Sequence, residues 1–327
     1  MKGSRVYLSR MESKADYNQR VREGLDWIGW EQIVAPGARV FIKPNFTVPN
    51  YMPGVTTSPE LIAALVSILK ERTDRITIGE SNGGLGKFTA DEAFAGHGLS
   101  ALSNQFHVRL VNLSRQPWVT IDERVNGRRI QMELPKLLLE DVDVFIDAPV
   151  FKTHVVAGVT LGLKNLWGCI PNSRRLLYHA IMNEALTAIA KKVHPQICVV
   201  DGFYAMDGSG PMFGDVVDFR TLLVADGVGT CDVAACRIME VEPGSVPHLQ
   251  RAQKEGLLPS LEEITFNVQV EQFGTRRFRV KRDLTNWMAL WFSKSRAVTW
   301  LVYLSPLRHF KDRLLKRWRS SKPSYGY

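Results

Sequence analysis

The sequence predicts an α/β protein with a largely parallel or mixed sheet covered by helices in Rossmann-like layers. Three observations support this fold class. The chain has 327 residues, of which 45% are hydrophobic, and this is ample for a buried core. Apolar runs of strand length alternate with segments of helical period, as in parallel sheets. No internal repeat or low-complexity stretch interrupts the alternation.

The first elements follow one another closely. Residues 6–8 predict a strand, residues 16–30 a helix and residues 39–42 a second strand. Residues 57–60 combine a capping residue, a first-turn proline and an early acid, and they predict the start of a helix that ends near Leu69.

The pattern continues through the rest of the chain. Further strands are predicted at residues 75–79, 108–111, 142–147, 197–200 and 222–225, and further helices at residues 181–193 and 230–240. Residues 264–270 alternate apolar and polar side chains, as an edge or antiparallel strand does. We therefore predict an α/β domain over residues 1–280 and a separate basic, aromatic tail over residues 281–327.

The net charge of +9 is confined to that tail. Residues 281–327 contain eleven Lys and Arg residues against two Asp residues, so the preceding 280 residues sum to zero. A neutral domain does not have the distributed basic surface that nucleic-acid binding requires, and no nucleic-acid partner is expected.

The tail combines aromatic and basic residues. Residues 284–304 include Trp287, Trp291, Phe292, Trp300 and Tyr303. Lys294 and Arg296 interrupt this stretch, so it is too short to cross a bilayer. After Pro306, apolar residues recur at helical spacing among basic ones. We predict that residues 284–319 bind a membrane surface or an amphipathic partner; the alternative is a helix packed on the domain with a solvated basic face.

Cysteine spacing and the first residues bear on cofactors and location. The four cysteines are too far apart for a zinc knuckle or a ferredoxin-type run, so no iron–sulfur cluster is expected and the thiols are expected to be reduced. The first ten residues lack the continuous apolar core of a secretory signal. We expect a cytoplasmic protein that associates with the cytoplasmic face of a membrane through its tail.

Polar residues follow two early strands, where ligands bind in open α/β sheets. Lys43 and Asn45 follow the second strand. Ser81 and Asn82 follow Glu80 and precede two glycines whose backbone amides could approach an oxyanion. Ordinary surface turns would give the same pattern.

The densest polar cluster lies among apolar residues. Lys152, Thr153 and His154 are followed by Lys164 and Asn165 within fourteen residues that are otherwise rich in Val, Leu, Phe and Trp. Lysines in such surroundings are typical of burial beside a bound anion. His179 is a further candidate donor, although a lone histidine is more often structural.

A glycine-rich loop follows the strand at residues 197–200. Asp201 begins it, and Gly208 and Gly210 offer backbone groups to a substrate. With Glu80, and less directly Asp226 and Asp232, Asp201 could bind a divalent metal, although such loops are often only tight turns.

Five ordered motifs resemble those of the domain-of-unknown-function 362 family. They are Lys43-Pro44-Asn45, Thr56-Thr57-Ser58-Pro59, Lys152-Thr153-His154, the run from Leu163 to Gly168, and the glycine-rich loop from Asp201 to Gly214. The resemblance covers about residues 38–236. Some members of that family carry ferredoxin-type cysteine runs, which implies redox chemistry for them; this chain has no such run. The resemblance implies a fold and a site without a reaction.

We expect an enzyme that acts on a small or lipid-linked carboxylate or phosphate. Lys43, Lys152 and Lys164 would hold the anion, and His154 or one of the lysines would be the acid or base. Two alternatives stay open at this point. One is a ligand sensor without catalysis, and the other is an oxidoreductase that binds flavin or nicotinamide.

Overall fold

A computed structural model describes residues 4–173, 175–303 and 305. The strands in this part of the chain are β1 (Ser4–Arg10), β2 (Val40–Pro44), β3 (Ile76–Glu80), β4 (Arg109–Asn112), β5 (Trp118–Val125), β6 (Arg128–Pro135), β7 (Val144–Ala148), β8 (Val150–His154), β9 (Gly158–Thr160), β10 (Ile197–Asp207), β11 (Asp215–Ala225) and β12 (Ile264–Phe266). The helices are α1 (Tyr17–Ile28), α2 (Trp30–Ile33), α3 (Pro59–Leu69), α4 (Ala90–Gly96), α5 (Leu99–Phe106), α6 (Lys136–Glu140), α7 (Gly162–Asn165), α8 (Met182–Val193), α9 (Val228–Ile238), α10 (Pro247–Lys254), α11 (Val270–Phe273), α12 (Leu284–Ser293) and α13 (Arg296–Tyr303).

One mixed sheet forms the centre of the fold. Its strand order is β12-β1-β11-β10-β7-β2-β3-β4, with β8 paired to β10 and β9 paired to β8. The strands β10, β7, β2, β3 and β4 run parallel, whereas β11 is antiparallel to both β1 and β10. The predicted α/β class is therefore confirmed.

The central strands are buried on both faces. In β2, Val40 and Ile42 pack in the core on the side of α1 and α3, whereas Phe41 packs in the core on the side of α8 and α9. This alternation follows from the two-residue period of a strand. Because both faces are apolar, the polar residues of these strands are concentrated at their carboxyl ends.

Most of the predicted elements are present. The strand predicted at residues 197–200 continues to Asp207, through residues that were predicted as a loop, and α4, α5, α6, α10, β8 and β9 were not predicted. The predicted strand at residues 264–270 is limited to Ile264–Phe266, which pairs parallel to β1 at the sheet edge, and α11 begins at Val270. The β5–β6 hairpin was not predicted. Asn126 and Gly127 at its turn both have positive φ, and this Asn-Gly pair is the usual signal of a two-residue hairpin turn.

The tail begins beside β10 and continues as two helices. The amide of Lys281 donates to the carbonyl of Gly208, and α12 and α13 then pack against each other. Across the described residues, every helix is too short or too polar to span a bilayer. The helix predicted after Pro306 lies outside the described residues, and the domain boundary near residue 280 stays a prediction.

Asp201 joins the first two long helices to the sheet. Its carboxylate accepts hydrogen bonds from the Tyr17 hydroxyl at 2.5 Å, in α1, and from the Ser58 amide at 2.6 Å, at the start of α3. Burial raises the pKa of Asp201, and these hydrogen bonds oppose the rise. A carboxylate thus replaces water for donors that the core would otherwise leave unpaired.

We expect Asp201→Ala to lower the free energy of unfolding by about 2–4 kcal/mol, because it leaves the Tyr17 hydroxyl and the Ser58 amide buried without an acceptor. Urea denaturation measures the change. The control is Asp218→Ala, which removes an exposed aspartate paired with Arg220 and should cost no more than about 0.5 kcal/mol. Equal stability of the two variants would contradict the assigned role.

Candidate functional site

Adjacent parallel strands bring a buried ion pair to one edge of the sheet. Lys43 lies near the end of β2, and Glu80 ends the neighbouring strand β3. The Lys43 Nζ lies 2.5 Å from Glu80 Oε2 and also donates to the Pro44 carbonyl at 2.8 Å. Both side chains are almost completely buried. Lys43 is therefore neutralised within the protein.

Gly168 lies directly against this ion pair. A Cβ atom at this position would lie 2.4 Å from Glu80 Oε1 and 2.5 Å from Lys43 Nζ. Any larger residue would push the two charged groups apart. This contact explains why the Trp-Gly motif ends in glycine.

Lys152 is satisfied by neutral groups. Its Nζ donates to Val55 O at 2.6 Å, to Thr47 Oγ1 at 2.9 Å and to Asn45 Oδ1 at 3.0 Å. Burial, with a smaller effect of the Lys164 charge, lowers the pKa of Lys152 well below its usual range. With three acceptors already engaged, Lys152 holds the loop that follows β2 and has little capacity left for a ligand.

A directional chain of amides continues from Lys152. Because the Nζ of Lys152 contacts Asn45 Oδ1, the Asn45 amide nitrogen faces Asn165 Oδ1, to which it donates at 2.9 Å. The Asn165 amide nitrogen in turn donates to Asp147 Oδ1 at 2.7 Å. The chain fixes both amide orientations and ends on a carboxylate beside Lys43.

Asp147 is completely buried within this cluster. Its Oδ2 is buried and has no hydrogen-bond partner among the described residues. Burial raises the pKa of Asp147 well above its ordinary value, while Lys43 and Asn165 act in the opposite direction. A partly or fully protonated Asp147 is the form that such surroundings favour.

Lys164 differs from the other two lysines. It lies in α7, whose first amides, those of Gly162 and Leu163, donate to Asp232 at 2.7 and 3.0 Å. No described residue accepts a hydrogen bond from its Nζ, which lies 5.4 Å from the centre of the Trp167 ring. Burial, reinforced by Arg175 and Lys43, lowers the pKa of Lys164 to about 7.

His154 is held as one tautomer. Its Nδ1 accepts the amides of Val156 at 3.1 Å and Ala157 at 3.2 Å, so the proton of the neutral ring is on Nε2. Burial and the nearby Lys164 lower the pKa of His154 well below its usual range. His154 therefore offers a neutral N–H donor, and its acceptor nitrogen is already occupied.

These side chains surround a cavity of about 240 Å³. Seven predicted site residues line it: Lys43, Asn45, Glu80, Lys152, His154, Lys164 and Asn165. Four cationic side chains and one carboxylate contribute to the lining, since Arg175 also takes part. Because Lys43 is paired with Glu80, the positive character of the cavity depends mainly on Lys164 and Arg175, and the cavity is large enough for a small ligand.

The other predicted substrate-binding residues do not line the cavity. They are Ser81, Asn82, Thr153, His179, Gly208 and Gly210. Thr153 Oγ1 donates to the Gly208 carbonyl at 3.1 Å, and a Cβ on Gly210 would lie 1.9 Å from the Thr153 carbonyl, so these residues join the glycine-rich loop to β8. The Asn82 side chain accepts the Ala90 amide at the start of α4.

His179 is close to the cavity without lining it. Its ring packs 5.6 Å from that of Trp167, centre to centre. Burial, with Lys164 and Arg175, lowers the pKa of His179 to about 3. The position of His179 is better explained by a neutral ring that packs against Trp167 than by a donor that binds a ligand.

The two carboxylates predicted for a metal have separate partners. Asp201 is hydrogen-bonded to α1 and the start of α3, and it does not line the cavity; Glu80 is paired with Lys43. Within residues 4–173, 175–303 and 305, no group of three or more His, Cys, Asp or Glu residues is placed to hold a metal ion.

Among the lining residues that were not predicted as site residues, three are polar or charged. Thr47 contacts Lys152, Thr160 has a buried Oγ1 without a partner among the described residues, and Arg175 has no carboxylate partner there. Thr160 lies four residues before Lys164, but a threonine in a short strand carries no functional signal. Only the fold brings Arg175 back to the cavity.

We expect Lys43→Met to lower the free energy of unfolding by about 3–5 kcal/mol, because Glu80 would remain buried without its cation. The double variant Lys43→Met with Glu80→Gln should recover part of the loss. Chemical denaturation gives both values. Lys70→Met is the matched control, since its partner Asp74 is exposed. A single variant as stable as the control would show that the pair is not structural.

Comparisons with known proteins agree with this fold. A family model described as "Domain of unknown function (DUF362)" matches residues 40–237. A thylakoid-associated protein of Synechocystis is 29% identical over 248 residues, which cover 73% of this chain and 74% of that protein. The lactate racemase apoprotein of Thermoanaerobacterium thermosaccharolyticum superposes with a TM-score of 0.51 at 17% identity. That match covers 74% of this chain and 58% of the racemase chain, and it concerns the fold alone.

Proposed function

The chain belongs to the domain-of-unknown-function 362 family, and we propose that it is an enzyme acting on a small or lipid-linked anion. Carboxylate and phosphate are the candidate anionic groups. The single observation that carries this proposal is the lysine that lines the cavity without an acceptor. Lys164 lies among other cations, and no described carboxylate neutralises it.

An entering anion would offset the cost of burying this lysine. In the free protein, desolvation and the charges of Arg175 and Lys43 disfavour the ammonium form of Lys164. An anion between Lys164 and Arg175 would supply the missing counter-charge. Lys43 and Lys152 already have partners, so they would shape the cavity and contribute to its positive potential.

The proposed chemical roles follow from the two nitrogen atoms that lack a described hydrogen-bond partner, His154 Nε2 and Lys164 Nζ. The Nε2–H of His154 can donate a hydrogen bond to a substrate oxygen, as a neutral electrophile. It is a poor general base because two backbone amides occupy Nδ1. Lys164, with a pKa of about 7, is the better candidate for proton abstraction near neutral pH.

Two other functions fit the sequence less specifically. A ligand sensor would use the same cavity without turnover, and an assay of substrate consumption distinguishes it from an enzyme. A flavin or dinucleotide would need more space than about 240 Å³, because pockets for ligands of such size usually exceed about 300 Å³. The anion-binding enzyme is therefore preferred.

The tail helices α12 and α13 support a membrane-surface location. Their exposed side chains include Leu284, Trp287, Met288, Trp291, Trp300 and Leu301. Tryptophan at this density on a surface is typical of the membrane interface, and the tail also carries the whole net positive charge of the chain. The similar Synechocystis protein is described as thylakoid-associated, which agrees with this location.

The same helices lie close to the cavity. Both α12 and α13 contact the 3₁₀ segment Arg175–Ile181, and Arg175 lines the cavity. A membrane bound to the exposed tryptophans would therefore be near the residues that we propose bind the anion. This proximity would allow a lipid-linked substrate to reach the cavity as well as a freely soluble one.

We expect Lys164→Met to weaken binding of a small carboxylate or of inorganic phosphate by at least about tenfold, because the cavity loses its unpaired cation. Calorimetric titration with a panel of such anions measures the loss. Lys136→Met, which changes an exposed lysine, should bind like the wild type.

The pH dependence of stability tests the lowered pKa of Lys164. Its pKa is about 7 when folded and is ordinary when unfolded, so only the unfolded chain holds this proton between those values. The free energy of unfolding of the wild type should therefore rise relative to Lys164→Met as pH increases above about 7. A constant difference from pH 6 to pH 10 would contradict the lowered pKa.

We expect the variant with Trp287, Trp291 and Trp300 changed to Ser to partition on the order of tenfold less onto vesicles that contain anionic lipid, because it loses its interfacial side chains. Cosedimentation of the full chain gives the bound fraction. The matched control is Trp118→Ser, which changes an equally exposed tryptophan on β5. Binding that is unchanged in the triple variant, or insensitive to salt, would exclude a membrane role for these helices.

A further inference from the structure

We propose that Lys164 acts as a nucleophile and forms a Schiff base with a small oxo acid, a substrate that carries both a carbonyl and a carboxylate. This inference rests on the proposed function, since it assigns the substrate class of the same cavity. It adds a covalent step that anion binding alone does not require.

Geometry selects Lys164 among the lysines of the cavity. The Nζ of Lys43 is bound to Glu80, and the Nζ of Lys152 donates to three oxygens. Neither amine can approach a substrate carbon without breaking these bonds. No described residue accepts a hydrogen bond from the Nζ of Lys164, which lies 5.4 Å from the centre of the Trp167 ring, so it is the amine that is free to react.

The surroundings of Lys164 keep the amine reactive. Arg175, Lys43 and burial favour its neutral form, and the neutral form is the nucleophile. His154 and His179 are themselves held neutral, so neither supplies a negative charge that would stabilise the ammonium form of Lys164. A lysine placed beside other cations in an apolar pocket is an established way to obtain a nucleophilic amine near neutral pH.

Three groups in the cavity suit an oxo acid. Among the described residues, the Arg175 guanidinium donates only to the Ile170 carbonyl, at 3.4 Å, and forms no ion pair, although the Glu80 charge acts on it, so it can bind the substrate carboxylate. The Oγ1 of Thr160 is buried without a described partner, and the Nε2–H of His154 is available as a donor. Both can hydrogen-bond the carbonyl oxygen.

The step balances without a redox partner. The neutral Nζ attacks the carbonyl carbon, and the carbon–oxygen double bond opens to a carbinolamine. A carbon–nitrogen double bond then forms as the oxygen leaves. The two hydrogens of Nζ depart with that oxygen as one water molecule, so nothing is oxidised or reduced.

Reductive trapping of the full chain tests this step. Glyoxylate, the smallest oxo acid, is added with cyanoborohydride, and the adduct is mapped by peptide mass spectrometry. At pH 8, a lysine with a pKa near 7 has a neutral fraction on the order of 10² times that of an ordinary lysine. We expect labelling of Lys164 at least about tenfold faster than labelling of exposed lysines such as Lys70. The rate should rise as pH increases through about 7.

Further arms separate the covalent step from anion binding. Acetate, which has no carbonyl carbon open to attack by an amine, should slow labelling of Lys164, and acetaldehyde, which lacks the carboxylate, should label it less selectively than glyoxylate. Lys164→Arg keeps a cation, so it should retain acetate binding by calorimetry while losing the adduct on that peptide.

The outcomes distinguish the two proposals. If acetate binds but Lys164 is labelled no faster than exposed lysines, the Schiff base is wrong and the proposed anion site stands. If acetate does not bind and labelling is also unselective, both proposals fail. Selective labelling that acetate does not slow would overturn the assignment of an oxo acid.

Discussion

Desolvation of lysine is the constraint on which this site depends. Three lysines lie at one edge of a sheet that is buried on both faces, and each must replace the water that it loses. Lys43 does so with Glu80, and Lys152 does so with three neutral oxygens. Lys164 has no such replacement among the described residues, and the cavity opens beside it. Lys164 therefore still needs a hydrogen-bond acceptor or counter-charge, and we propose that the ligand supplies it.

The surrounding structure holds this arrangement in place. Asp232 accepts the first amides of α7 and so fixes the short helix that carries Lys164. Burial raises the pKa of Asp232 to about 7, so this support is itself sensitive to pH near neutrality. On the other side of the cavity, the chain from Lys152 through Asn45 and Asn165 fixes the loop after β2. These hydrogen bonds thus fix the orientations of the side chains around the cavity before a ligand binds.

The sequence was sufficient for the fold class and for much of the cavity. The family resemblance is confirmed over residues 40–237, and Lys43, Lys152, His154 and Lys164 do converge. Strand-end position is informative because parallel strands end at one edge. The partners of these side chains could not be predicted from the sequence, because the pairing of Lys43 with Glu80 depends on the order of the strands in the sheet. Asp201 was predicted to follow a strand, but it lies within β10, where Tyr17 and Ser58 use its oxygens for folding. Periodicity also could not place Arg175, which reaches the cavity from a 3₁₀ segment.

The most direct test is a measurement of the Lys164 ionisation itself. Titration of the lysine Nζ resonances by ¹⁵N NMR, with Lys164→Arg to assign the signal, reports its pKa in the free protein and with a bound carboxylate. The account predicts a pKa of about 7 in the free protein that rises when the anion binds. A lysine that titrates near its ordinary value of about 10.4, with no change on adding the anion, would contradict it.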